Sequence, residues 1–212
     1  MKHLLIVISL FFVGICMAQD RYVAGMTRGL QQLQAAKTAD DMTSTSSFFE
    51  RIGEAEKDKW QPYYYAAYTN YLTGWMNPKA DKDKVAAKSK DLIEKAIAME
   101  PNNSELFCLK QMVAILQMTV DPMSRWQSYG AEARNDLDQA IKADPNNPRI
   151  YLLDGQTLMN TPEAYGGGKA AAKKQFEKAV ELFKTFKPAS PFDPNWGKEE
   201  ADKFLAACST DK

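Results

Sequence analysis

From residue 22 onward the apolar positions recur at spacings of three and four, the period of one helix face. Tyr22, Met26, Leu30 and Leu33 mark a helix over Tyr22–Ala36, and Phe48, Phe49, Ile52 and Ala55 mark a second over Met42–Ala55. Trp60–Tyr71 is dense in tyrosine, with Ala66 and Ala67 small enough to let another helix come close. Asn77-Pro78 interrupts the pattern before a further helix over Val85–Met99. A final helix is expected over Lys198–Cys208. Alternation with a period of two is absent, so no strand is predicted.

The pattern then repeats itself. Glu94-Lys95-Ala96-Ile97-Ala98-Met99-Glu100-Pro101-Asn102-Asn103 aligns without a gap with Asp138-Gln139-Ala140-Ile141-Lys142-Ala143-Asp144-Pro145-Asn146-Asn147, and Phe176-Glu177-Lys178-Ala179-Val180-Glu181-Leu182 begins a third copy. In each, a small residue is followed by a large apolar one and then an alanine: Ser89, Ile93, Ala96; Ala133, Leu137, Ala140; Ala172, Phe176, Ala179. Pro101 and Pro145 close the first two copies, whereas the third finds its proline only at Pro188. Spacings of four and three put each triplet on one helical face, and the small members permit close helix packing. Proline cannot continue a helix, and Asn147-Pro148 supplies an N-cap followed by proline at the first helical position.

These residues resemble the second helix and inter-repeat turn of the tetratricopeptide repeat, firmly over residues 85 to 184. Tyr151 and Gly155 match the large aromatic and the close-contact glycine of the family's first helix, and Phe107 matches the aromatic one repeat earlier, with Gln111 in place of the glycine. The resemblance implies an all-α, antiparallel helix-pair solenoid of about four pairs plus a C-terminal capping helix. The period exceeds the usual ~34 residues. The surplus falls in Thr119–Ser128 and Thr161–Gly168, read as long loops between the helices of a pair. The resemblance further implies a concave groove for an extended peptide, lined by Glu105, Cys108, Met112 and Ile115, then Arg149, Leu152, Gln156 and Met159. Cys108 and Met112 argue against the subtype that clamps chaperone tails with lysine and asparagine. The groove could equally be filled by the chain itself.

The first 18 residues change the picture of location. Met1-Lys2-His3 is a short positive start, Leu4–Ile15 an apolar run of about a dozen residues, and Cys16-Met17-Ala18 a small-residue cleavage site. Residues 1–18 are therefore expected to be a signal peptide and 19–212 a single repeat domain, periplasmic or secreted. The run is too short to span a bilayer, and no other segment is a membrane span. A lipid anchor at Cys16 is disfavoured, because Ile15 stands where a lipobox needs a small residue.

Charge and rare residues narrow the chemistry. Lysine plus arginine and aspartate plus glutamate are both 27, so no excess charge attracts nucleic acid. His3 is the only histidine and lies in the signal, which removes histidine-based catalysis and metal binding from the mature chain. No cofactor is expected. Cys108 and Cys208 are read as unpaired thiols, the first as a buried small hydrophobe. Gly166-Gly167-Gly168-Lys169 lacks the earlier glycine and following Ser/Thr of a phosphate loop, and Ser124 lacks a base.

The function expected is non-catalytic: a module that binds another protein or peptide, with Glu105, Met112, Arg149, Leu152 and Gln156 as groove residues. The alternative is a carbohydrate-binding accessory protein that stacks sugars on Trp126, Tyr129 and Tyr165, among loop aromatics that also include Trp75 and Trp196. Exposure of the first three on one platform favours it. Self-packing of these aromatics is the competing reading. A hydrolase using carboxylates alone ranks last, since it needs two acids about 5–9 Å apart in a cleft.

Overall fold

A computed structural model describes residues 20–209; the expected signal peptide, with Cys16, lies outside them. The described residues form nine α-helices and no strand. They are α1 (20–35), α2 (Ala39–Ala55), α3 (Gln61–Met76), α4 (Lys82–Met99), α5 (Ser104–Met118), α6 (Pro122–Ala143), α7 (Pro148–Met159), α8 (Lys169–Phe183) and α9 (Lys198–Ser209). Successive helices pack against one another as four pairs, α1 with α2 where Gly25 approaches Ile52 and Gly29 approaches Phe49, then α3 with α4, α5 with α6 and α7 with α8, and α9 packs on the last. The odd-numbered helices α3, α5 and α7 also touch one another, so together they form one layer of the solenoid.

The small-large-small triplets are the seams between layers. Ser89, Ile93 and Ala96 are fully buried on α4, as are Ala172, Phe176 and Ala179 on α8, and Ala133, Leu137 and Ala140 on α6 are almost so. Ser89 Oγ sits 3.3 Å from the Ala67 carbonyl across the α3–α4 contact, a distance only a short side chain allows. The turns are capped in the same way twice. Asn103 accepts from the Glu105 N–H and Asn147 from the Arg149 N–H, each at 2.9 Å, satisfying a helix-start donor.

Gly155 carries the tightest contact of the last pair. A Cβ there would lie 2.5 Å from Phe176 Cε1. Gly155→Ala would gain helix propensity but must displace a fully buried ring, so a net loss of about 1–3 kcal/mol is expected. A urea midpoint that falls with unchanged m checks this; a raised midpoint would mean that the Phe176 ring yields freely.

One of the two insertions differs from the loop expected. After α5 the chain turns within three residues, and Asp121 then caps a 22-residue α6, its carboxylate accepting from the Ser124 N–H with Pro122 in the first turn. Seven of the residues read as loop are thus an added N-terminal extension of the helix, and Trp126 and Tyr129 stand on that helix. The second insertion does leave helix: a single 3-10 turn at Glu163–Tyr165 leads to Gly166 and Gly168, both at positive φ. After α8 no proline turn follows. Residues 184–197 instead run irregularly back over α7 and α3 before Gly197, at φ 99°, starts α9.

Candidate functional site

Two regions compete for a ligand: the layer of odd-numbered helices, where the sequence expects a concave groove, and the edge where each pair's first helix turns into its second.

On that layer, Cys108, Met112 and Leu152 are buried and Arg149 is completely so, while Glu105 and Gln156 keep partial exposure. The chain's own return segment, residues 184–197, covers this end. Arg149 Nη2 donates to the Pro194 carbonyl at 2.7 Å, Trp196 Nε1 to the Tyr64 hydroxyl at 2.8 Å, and Gln61 Nε2 to Asp193 Oδ1 at 3.0 Å. Trp196 also stacks on Tyr68 at 5.7 Å, and Phe192 meets Tyr22 edge-on at 5.4 Å. Arg149 is thereby framed by rings, its guanidinium 4.7 Å from the Phe186 centroid and 5.2 Å from that of Trp196. Its charge is met by Glu105, whose Oε1 accepts from Nη1 at 2.8 Å and from Asn147 Nδ2 at 2.9 Å. Burial pushes the Glu105 carboxyl up, to about 7, against the downward pull of Arg149 and Asn147. Glu105 and Arg149 are thus joined in an internal latch. An open cleft of about 500 Å³ remains beside it, with Trp60, Glu105, Asn147, Phe186 and Asp193 among its walls.

The tyrosines of α3 are committed to packing as well. Tyr64, Tyr68 and Tyr71 form a run of stacked rings, and burial raises all three hydroxyls above the ordinary range, Tyr68 to about 12. They are neutral near pH 7.

The edge is different. Met123 is 86%, Tyr165 78% and Trp126 54% exposed, and Trp75, Met76 and Val120 join them among the exposed large apolar residues. Each lies at or just past the end of a first helix or the start of a second, so the repeat itself brings them to one side. The Trp126 and Tyr165 rings are neighbours, with centroids 6.5 Å apart and planes tilted by 37°. Exposed large apolar side chains gathered at the ends of neighbouring helix pairs are the usual mark of a surface that meets another molecule. Tyr129 does not share that platform. Its ring is half-buried between Lys90 and Arg125, each 5.7 Å away, and its hydroxyl accepts from Gln117 at 3.4 Å.

Cations border the same edge. Arg125 forks onto Asp83 at 2.7 and 2.9 Å, which holds the Asp83 carboxyl below its ordinary value. Lys84 pairs with Asp81 at 3.4 Å. Lys82, between those acids in sequence, has no carboxylate in ion-pair range among the described residues. Its ammonium donates to Thr119 Oγ1 at 2.9 Å and lies 4.8 Å from the Trp75 ring centroid. Sequence reasoning missed Met76, Lys82, Val120 and Met123, because each reads alone as an ordinary surface residue and only the stacking of repeats collects them.

The remaining candidates are occupied. Gly167 and Gly168 donate to the Pro162 and Leu158 carbonyls, so those amides are not turned to a phosphate. The Ser124 N–H is the donor to its own helix cap. Cys108 and Cys208 are free, buried thiols. No helix among the described residues is long and apolar enough to cross a membrane.

No family model matches the chain, and no curated protein does. Among solved structures, the HusA haemophore from Porphyromonas gingivalis is similar over 89% of this chain and 92% of its own, at 32% identity and a TM-score of 0.81. At that identity and coverage the chain belongs to the family of HusA. This family membership indicates a binding module and points to no enzyme family.

Proposed function

We propose that this member of the HusA family is an exported carrier that captures haem, or a similar flat ring compound, as cargo by stacking it on the exposed edge. The observation that carries the reading is the neighbouring, exposed pair Trp126 and Tyr165, with Met123 and Val120 also exposed at the same helix-pair ends. Flat rings gain both buried apolar area and offset stacking against such residues. The name of the similar protein adds the class of cargo. Export rests on the signal-like residues 1–18. The triplets and the Tyr151/Gly155 spacing support reading the helix pairs as tetratricopeptide repeats.

Stacking suits what the chain offers better than ligation of an iron centre. Residues 19–212 contain no histidine, both thiols are buried, and burial raises the Tyr64, Tyr68 and Tyr71 hydroxyls, so none of these groups is offered to an iron. An extended peptide in the concave groove, with Glu105, Met112, Arg149, Leu152 and Gln156 as its contacts, is less favoured. Residues 184–197 already cover that end. A sugar would use the same aromatic pair, without Tyr129.

Absorbance titration of the purified protein with haem and with metal-free protoporphyrin IX tests the proposal. Both are expected to bind. The double variant Trp126→Ala/Tyr165→Ala is expected to weaken both by about tenfold or more, given ~0.5–1.5 kcal/mol per aromatic pair beyond the lost burial. Binding of oligosaccharide but neither porphyrin would transfer the platform to sugars. Porphyrin binding that survives the double change would move the cargo off this edge.

A further inference from the structure

We infer that Lys82 is the residue that reads the acidic rim of the cargo, so the site selects ring compounds carrying free carboxylates. The inference rests on the stacking site proposed above and adds its specificity.

The argument begins with pairing. In Asp81-Lys82-Asp83-Lys84 the charges alternate, and three of the four are satisfied: Asp81 by Lys84, and Asp83 by the two-pronged Arg125 contact. Arg125 is thereby neutralised at the place where it enters the edge. Lys82 is left with its charge uncompensated, although it is half-buried rather than waving in solvent. With no carboxylate in ion-pair range among the described residues, its ammonium is open to pairing with an anion that arrives from outside the chain.

Its position is also fixed beforehand. The stem reaches from the first turn of α4, and the ammonium is held by Thr119 Oγ1 at 2.9 Å and by the Trp75 face at 4.8 Å. Thr119 uses one of three ammonium donors, and the others remain for a ligand. A cation already held in place loses little rotamer freedom when an anion arrives.

The geometry relative to the platform follows from the chain. Thr119 and exposed Val120 lead directly into α6, and Met123 and Trp126 follow within its first turn and a half. Pro122 to Trp126 is about 6 Å along the helix axis. A flat ring resting on Trp126 and Tyr165 and extending over Met123 and Val120 brings its rim to Lys82. Lys169, the first residue of α8, serves as a control lysine on another repeat.

The test compares protoporphyrin IX, which has two carboxylates, with its dimethyl ester. The full chain and the variants Lys82→Met, Lys82→Arg and Lys169→Met are titrated in the same low-salt buffer. Wild type is expected to prefer the diacid by about fivefold, the upper range for a partly exposed ion pair. Lys82→Met should abolish the preference by weakening the diacid alone, Lys82→Arg should keep it, and Lys169→Met should leave it unchanged. Equal binding of diacid and ester by wild type would overturn the role of Lys82 while leaving stacking intact. So would a preference that survives Lys82→Met or disappears with Lys169→Met. Failure of both compounds to bind would remove the stacking site, and the Lys82 role with it.

Discussion

Replacing Arg149 by methionine is expected to lower the unfolding free energy by about 3–5 kcal/mol, the range for leaving a buried charge without its partner. Arg149 is wholly buried, and its two terminal nitrogens serve different masters: Nη1 holds Glu105 and Nη2 holds the Pro194 carbonyl. Methionine fills similar volume and keeps contact with Phe186 and Trp196, so the loss isolates charge and hydrogen bonding from packing. Glu105 would be left with Asn147 alone, in surroundings that already push its carboxyl up. Much of the damage should therefore be repaired by changing Glu105 as well. The double variant Arg149→Met/Glu105→Gln is expected to recover at least 1 kcal/mol over Arg149→Met, a coupling that a double-mutant cycle in urea reads directly. Arg149→Lys should rescue little, because one ammonium cannot reach both acceptors in the planar fork the guanidinium provides. A loss below 1 kcal/mol for Arg149→Met would mean that the latch adds nothing to the fold.

Arg149 also shows where sequence reasoning stops. Its place on the inner layer was legible, since the position follows from Asn147-Pro148 as a helix start and from the repeat spacing. Its employment was not, because the partner carbonyl belongs to Pro194, forty-five residues on in a segment without periodicity. The helices, the seams and the Asn caps were readable for the opposite reason: each depends on residues within a few turns of one another. Gly155 illustrates this, with its contact Phe176 in the paired helix. Residues 119–128 carry a local helix signal as well as surplus length: Asp121-Pro122 is the same cap-plus-proline start as Asn147-Pro148. Trp126 and Tyr165 stand out in the sequence as aromatics off the repeat triplets. That they meet, while Tyr129 turns inward between two cations, depends on how α6 lies against α4 and on the loop before α8. No spacing within the chain encodes that.

The return segment supplies the second large effect and separates the two candidate surfaces. Trp196→Ala is expected to cost about 3 kcal/mol, at the low end for removing a packed tryptophan because the residue keeps some exposure. The indole stacks on Tyr68, covers the Arg149 guanidinium and donates to Tyr64, whose hydroxyl is buried and would lose that donor. Trp196→Phe keeps a ring but removes the N–H, and about 1 kcal/mol of loss is expected from it. The stability change should be local before it is global. Hydrogen exchange ought to quicken across residues 184–209, with the amides of α5 and α6 held at their original protection, because only the former depend on the anchor. That pattern makes the variant a test of location. It uncovers the layer of odd-numbered helices without touching Trp126, Tyr165 or Lys82. Porphyrin affinity within twofold of wild type is therefore expected, and Trp196→Phe should match it. If instead Trp196→Ala abolishes binding while Trp126→Ala/Tyr165→Ala does not, the cargo sits on that layer against the α3 tyrosines. The return segment would then be part of its site.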